Sequence, residues 1–118
     1  MRYPGFDPAI LAQAEAEKNT LTLAELITTV GAVTPAQKYS NPVAVVNGEN
    51  DFPFCSGNCS YLADKAAAVR LTWLPNTLAA NLNSYLAPDV GHGLNLHYAA
   101  AGTYKFIHHF LRSHGLGM

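Results

Sequence analysis

The stretch Pro42 to Cys59, PVAVVNGENDFPFCSGNC, decides how this chain folds. It opens with a short β-branched run that lacks polar alternation, and such a run suits a strand buried on both faces of a parallel sheet. The run stops at Asn47-Gly48, and Glu49, Asn50 and Asp51 follow at once. A tight turn therefore carries carboxylates to the carboxyl end of the strand, which is where open parallel sheets gather ligands and catalytic groups. Asp51 has two readings there, a turn or N-cap residue and a catalytic acid.

Downstream, Ser60 to Trp73 (SYLADKAAAVRLTW) predicts a helix with Leu62, Ala66, Val69 and Trp73 on one side, ended by Pro75. Asn81 to Ala87 (NLNSYLA) alternates Leu82, Ser84 and Leu86 against Asn83 and Tyr85, which predicts a second strand. From Ala99 to His114, Tyr104, Ile107 and Leu111 recur beside Phe106 and Phe110, so this last helix packs an apolar face on a sheet and stops at Gly115.

Upstream, Asp7-Pro8 starts a helix over residues 8 to 18. Thr22 and Glu25 form a capping-box pattern for a second helix, LAELITTV, which Gly31 is expected to end. The chain thus reads as an α/β protein in two regions: a helical segment over 1–40, a cap or linker, and a strand-helix-strand-helix unit over 41–118. Strands alternating with helices imply a parallel sheet. Two strands joined by one crossover leave unpaired edges, so either the sheet is completed elsewhere or the chain is a fragment. Expressed alone, it is expected to self-associate or dissolve poorly.

Composition narrows the function classes. The 118 residues fit one domain, with 49% hydrophobic residues, 13% charged residues and a formal net charge of -1. Seven basic residues against eight acidic ones, with no basic run, leave no footprint for nucleic acid. No apolar stretch approaches the roughly 20 residues of a membrane span. The N-terminus MRYPGFDPAI has no signal-peptide pattern. Cys55 and Cys59 stand four residues apart, a spacing that suits a small disulfide loop in an oxidising compartment, while a reduced pair fits equally. Asn58-Cys59-Ser60 also matches the N-glycosylation pattern.

The second strand is followed by APDVGHGLNLH, in which Gly91 and Gly93 flank His92. An Asp at one strand end and a later His at the next supply the orienting acid and general base of a nucleophilic triad. A solvated loop histidine is the plainer reading of His92. Cys55 paired with His92 is an alternative nucleophile arrangement, though it would need its own oxyanion donors. His92, His97, His108, His109 and His114 show no helical zinc-ligand pattern, so the others read as surface or packing histidines.

PVAVVNGEND at Pro42 to Asp51, PDVGHGLNLHY at Pro88 to Tyr98 and the closing helix YKFIHHFLRSHGL together resemble the C-terminal part of the α/β-hydrolase superfamily. More narrowly, NGENDFPFCSGNC with GHGLNLHY is similar to a group of predicted secreted fungal hydrolases. The resemblance implies that Asp51 is the triad acid, with Glu49 as the fallback, and that His92 is the base. It implies ester or amide hydrolysis of a small-molecule substrate and no cofactor. With the Cys pair it points to an extracellular setting.

The family also needs a nucleophile elbow, G-x-S-x-G. Among Ser40, Ser56, Ser60, Ser84 and Ser113, none has Gly two positions before and two after. The chain is therefore expected to carry an acid and a base without a nucleophile and to be inactive alone. Its partner would be a missing N-terminal half or a second copy. A non-enzymatic interaction module derived from the same fold is the alternative.

Overall fold

In the computed structural model, residues 1–61 and 65–117 are described, apart from the side chains of Val30, Ala32 and Ala66. The elements are helix α1 (Pro8–Glu17), helix α2 (Leu23–Ala32), strand β1 (Val43–Gly48), helix α3 (Phe52–Cys55), helix α4 (Lys65–Trp73), strand β2 (Leu82–Ala87) and helix α5 (Ala100–Ser113). Short 3-10 turns precede β2 at Ala79–Asn81 and follow it at Leu94–Leu96. β1 and β2 pair in parallel, from Val43 opposite Leu82 to Gly48 opposite Ala87. The chain is therefore a small α/β fold around a two-stranded parallel sheet.

The helix starts follow their caps. Asp7 accepts the Ala9 N–H at 2.8 Å and Pro8 fills a position whose own N–H would be an orphan. At α2 the capping box closes both ways, with Glu25 N–H on Thr22 Oγ1 and Thr22 N–H on Glu25 Oε2. Those bonds hold the exposed Glu25 carboxyl below its usual range, the Thr22 backbone N–H being the larger cause.

Gly31 does not end α2, because it keeps a helical φ and the helix runs one residue further. Thr34-Pro35 supplies the stop instead, since a residue before proline is pushed out of the helical region. Gly115, at φ 72°, does close α5 in the left-handed conformation.

β1 is only half-buried from Val43 to Asn47, although its composition predicts cover on both faces. One neighbouring strand and two packed helices are too little to enclose it. α4 and α5 both pack on the sheet, and Phe106 of α5 stacks on Tyr85 of β2 with ring centroids 5.0 Å apart. Of the predicted α4 face, Leu62 lies outside the described residues, while Val69 and Trp73 line a groove of about 410 Å³ with Val45 and Val46.

On α5 the covered stripe is Thr103, Phe106, Ile107 and Phe110, with Leu111 beside it. Tyr104 is half exposed, because the stripe that meets the sheet lies one position earlier than the Tyr104-Ile107-Leu111 repeat suggests.

The two expected regions touch at both ends of the helical segment. Ala36 N–H donates to the Trp73 carbonyl, and buried Thr77 donates its hydroxyl to the Tyr39 carbonyl. At the other end, Phe6 is buried and Tyr98 N–H donates to the Gly5 carbonyl at 2.9 Å. Between these anchors α1 buries no residue, and Leu23, Leu26 and Ile27 of α2 are more than half exposed.

Candidate functional site

Two loops leave the carboxyl ends of adjacent parallel strands, which lie about 4.8 Å apart. The ladder continues past the strands and zips these loops together. Glu49 N–H donates to the Ala87 carbonyl and Asn50 N–H to the Val90 carbonyl, each at 2.9 Å. Gly48 permits this approach: a Cβ there would stand 2.3 Å from the Gly91 carbonyl oxygen and 2.4 Å from that of Val90. The loops carry Asp51 and His92, and His92 Nδ1 lies 2.8 Å from Asp51 Oδ2.

Asp51 is fully buried, whereas the His92 side chain is about half exposed at 52%. The other carboxylate oxygen, Oδ1, accepts the Phe54 N–H at 2.9 Å and so caps α3. Asp51 thus caps α3 through one oxygen and meets the His92 ring through the other. With the carboxylate accepting, Nδ1 of His92 carries a proton, and in the neutral ring Nε2 then keeps its lone pair. The exposed Phe54 ring tilts over His92 at 5.2 Å. Such an arrangement can orient an imidazole and present its free nitrogen as a proton acceptor.

The other sequence candidates lie elsewhere. Glu49 accepts the Asp89 N–H through Oε2 at 3.3 Å and pins the opposite loop instead of meeting His92. Cys55 and Cys59 form a disulfide with an S–S distance of 2.06 Å, so Cys55 holds no thiol to act as a nucleophile. Asn47 Nδ2 lies within reach of both sulfurs, at 3.3 and 3.7 Å. His108, His109 and His114 are exposed, and no cluster fit for a metal ion occurs among the described residues. No helix among them is long and apolar enough to cross a membrane.

The disulfide closes the loop that follows Asp51, where Cys55 N–H and Gly57 N–H both donate to the Asp51 carbonyl. Chain-entropy reasoning for so short a loop gives about 2 kcal/mol of stabilisation. The Cys55→Ala/Cys59→Ala double variant is expected to lose that amount in urea denaturation. A midpoint equal to the parent's would show that the hydrogen bonds hold the loop without the crosslink.

His97 is the residue whose importance the sequence conceals. It is buried, and its Nε2 accepts the Gly91 N–H at 3.4 Å and the Arg2 N–H at 3.3 Å. Phe6 meets its ring edge to face. Burial, and then the N-terminal ammonium, hold its pKa below the ordinary 6.5, against a smaller opposing pull from the Gly5 carbonyl. Nδ1 itself is buried without a hydrogen-bond partner among the described residues.

A histidine whose folded pKa is lowered favours folding when neutral, so its contribution is complete above 6.5 and fades as pH falls through the folded value. Urea midpoints measured from pH 8 to pH 5 are expected to drop on the acid side of 6.5. In His97→Gln that part of the drop should vanish.

The chain matches no protein-family model, no curated protein and no solved structure.

Proposed function

We propose that this chain is the C-terminal part of an α/β-hydrolase and supplies the acid, Asp51, and the base, His92, of a Ser-His-Asp type triad. The supporting observation is the 2.8 Å contact between a fully buried carboxylate and a half-exposed imidazole, held by loops at the carboxyl ends of adjacent parallel strands. The resemblance of NGEND and GHG to the family's acid and base motifs agrees with that geometry.

In the complete enzyme a serine from an N-terminal segment would meet His92 Nε2. The imidazole would take the hydroxyl proton as the oxygen attacks an ester or amide carbonyl, then return it to the leaving group. Asp51 would hold the Nδ1–H tautomer and stabilise the imidazolium that forms. Oxyanion donors would come from the same N-terminal segment, and so would the substrate pocket.

The test on the chain itself is the tautomer of His92. Imidazole 15N spectra are expected to report Nδ1–H at His92, with a strongly deshielded proton that Asp51→Asn removes. A His92 that behaves as a free imidazole, indifferent to Asp51→Asn, would overturn the assignment.

A non-enzymatic binding module is the second reading, favoured by the uncovered Leu23, Leu26 and Ile27 of α2. On that reading no upstream segment confers hydrolysis, and Asp51 and His92 contribute only to folding.

A further inference from the structure

His97 is distant in sequence from everything it holds. Its Nε2 receives two N–H groups at once, from Arg2 in the N-terminal segment and from Gly91, the residue before His92. A nitrogen that accepts two donors has to carry a lone pair, so the ring is neutral with its proton on Nδ1. Protonation would place an N–H against two N–H groups and break both bonds. The same segment seals the cluster from above. A Cβ at Gly91 would come within 3.0 Å of the Met1 carbonyl carbon, one at Gly5 would come within 2.9 Å of His97 Nδ1, and Phe6 packs on the ring.

Resting on the acid-base reading of Asp51 and His92, we infer that His97 is the positioning residue of the site: its neutral ring ties the N-terminal segment to Gly91 and so fixes where His92 stands against Asp51. The reach of the effect is short. Gly91 is covalently joined to His92, and its carbonyl also faces Gly48 at the end of β1. Losing the bond to Gly91 N–H frees the His92 side of a loop whose other backbone ties, Asn50 N–H to Val90 and Asp89 N–H to Glu49, lie before Gly91. His97 itself touches no reacting atom.

On residues 1–6 and 88–98, the two segments packed around His97, the other charged and titratable groups are the Met1 ammonium, Arg2, Tyr3, Asp89, His92 and Tyr98. Arg2 and Asp89 form an exposed pair at 3.7 Å, which bridges the N-terminal segment to the loop after β2.

The test follows the deshielded Nδ1 proton of His92 in the full chain labelled with 15N-histidine, in solution or by magic-angle spinning where the chain self-associates. At pH 7.5 His97 should show the Nδ1–H tautomer. The His92 signal should be lost on acidification in step with protonation of His97. His97→Gln keeps an acceptor oxygen near the Nε2 position that does not titrate, so there the signal should survive below that pH. His97→Ala should lose it already at pH 7.5.

A wild-type signal unchanged while His97 protonates overturns the inference, and so does a His97→Gln signal that fades at the wild-type pH. A folded His97→Ala chain with an undiminished signal does the same. Where His97→Ala fails to fold, the wild-type and His97→Gln titrations decide. Each of these outcomes leaves the Asp51–His92 pair standing. A wild-type chain with no such proton at any pH overturns the pair and this inference together.

Discussion

His92→Ala is expected to reduce kcat/KM for an aryl ester by roughly 10⁴-fold or more in a complex that contains the nucleophile, and Asp51→Asn by about 10³ to 10⁴-fold. The two losses have different origins. On the proposed function His92 would supply the nitrogen that moves the proton, so its removal would leave the serine hydroxyl without a base. Asp51→Asn leaves a group of nearly the same shape, but its amide can donate as well as accept. His92 would then be free to hold its proton on Nε2, the nitrogen that must be bare. Removing both should cost little more than removing His92 alone, because groups that act as a unit do not add. A double variant much worse than either single one would indicate separate roles.

Gly48→Ala carries the largest expected effect on the fold. Its Cβ would sit 2.3 and 2.4 Å from two carbonyl oxygens and 2.9 Å from the Val90 carbonyl carbon. All three are backbone atoms of the opposing loop, with no flexible side-chain end to swing away. That loop has to retreat by about an ångström, and overpacking of this kind costs about 3 kcal/mol. The Asn50–Val90 bond lies on the path of that retreat, and His92 moves with the loop. Two readouts should therefore change together: a lower urea midpoint, and loss of the deshielded His92 proton. Lower stability with the proton intact would show that the His92 loop can shift without disturbing Asp51.

Both Gly48 and Asp51 stand between Pro42 and Cys59, and only Asp51 has contacts that its sequence position anticipates. Asp51 is legible because the chemistry of a strand end, a turn and a carboxylate is local. The same holds for the helices capped by Asp7 and Thr22 and for the strand Val43–Gly48, whose signals fall within a few residues. Gly48 reads as a turn glycine, and its constraint comes from Val90 and Gly91, placed against it only by the parallel register.

His97 is hidden for the same reason: Arg2, one of its partners, is 95 residues away. The four-residue helix α3 also goes unanticipated, because Phe52–Cys55 is too short for any periodicity and exists through the Asp51 cap and the crosslink. Local signals were misleading where a distant contact or a neighbouring residue overrode them. Gly31 stays helical because Pro35 sets the stop, and Tyr104 is exposed because the sheet meets the stripe next to it.

The half-buried β1 and the bare faces of α1 and α2 bear on the same proposal. A strand so rich in valine with one neighbour has an unsatisfied edge. An N-terminal segment that adds strands beside it would cover that edge and bring a serine to His92 in one step. Without it, self-association of the chain is the expected outcome in sedimentation velocity, and a monomer that melts cooperatively would contradict it.

On the proposed function, Asp51 and His92 form the acid-base half of a hydrolase. The most direct measurement is aryl-ester hydrolysis by the chain expressed in frame with whatever is encoded upstream of Met1, beside the Asp51→Asn and His92→Ala variants of the same product. Hydrolysis by the parent is expected, with loss of at least about 10³-fold in each variant and a serine in the upstream segment that labels with an organophosphonate. Hydrolysis that persists unchanged in both variants would contradict that assignment.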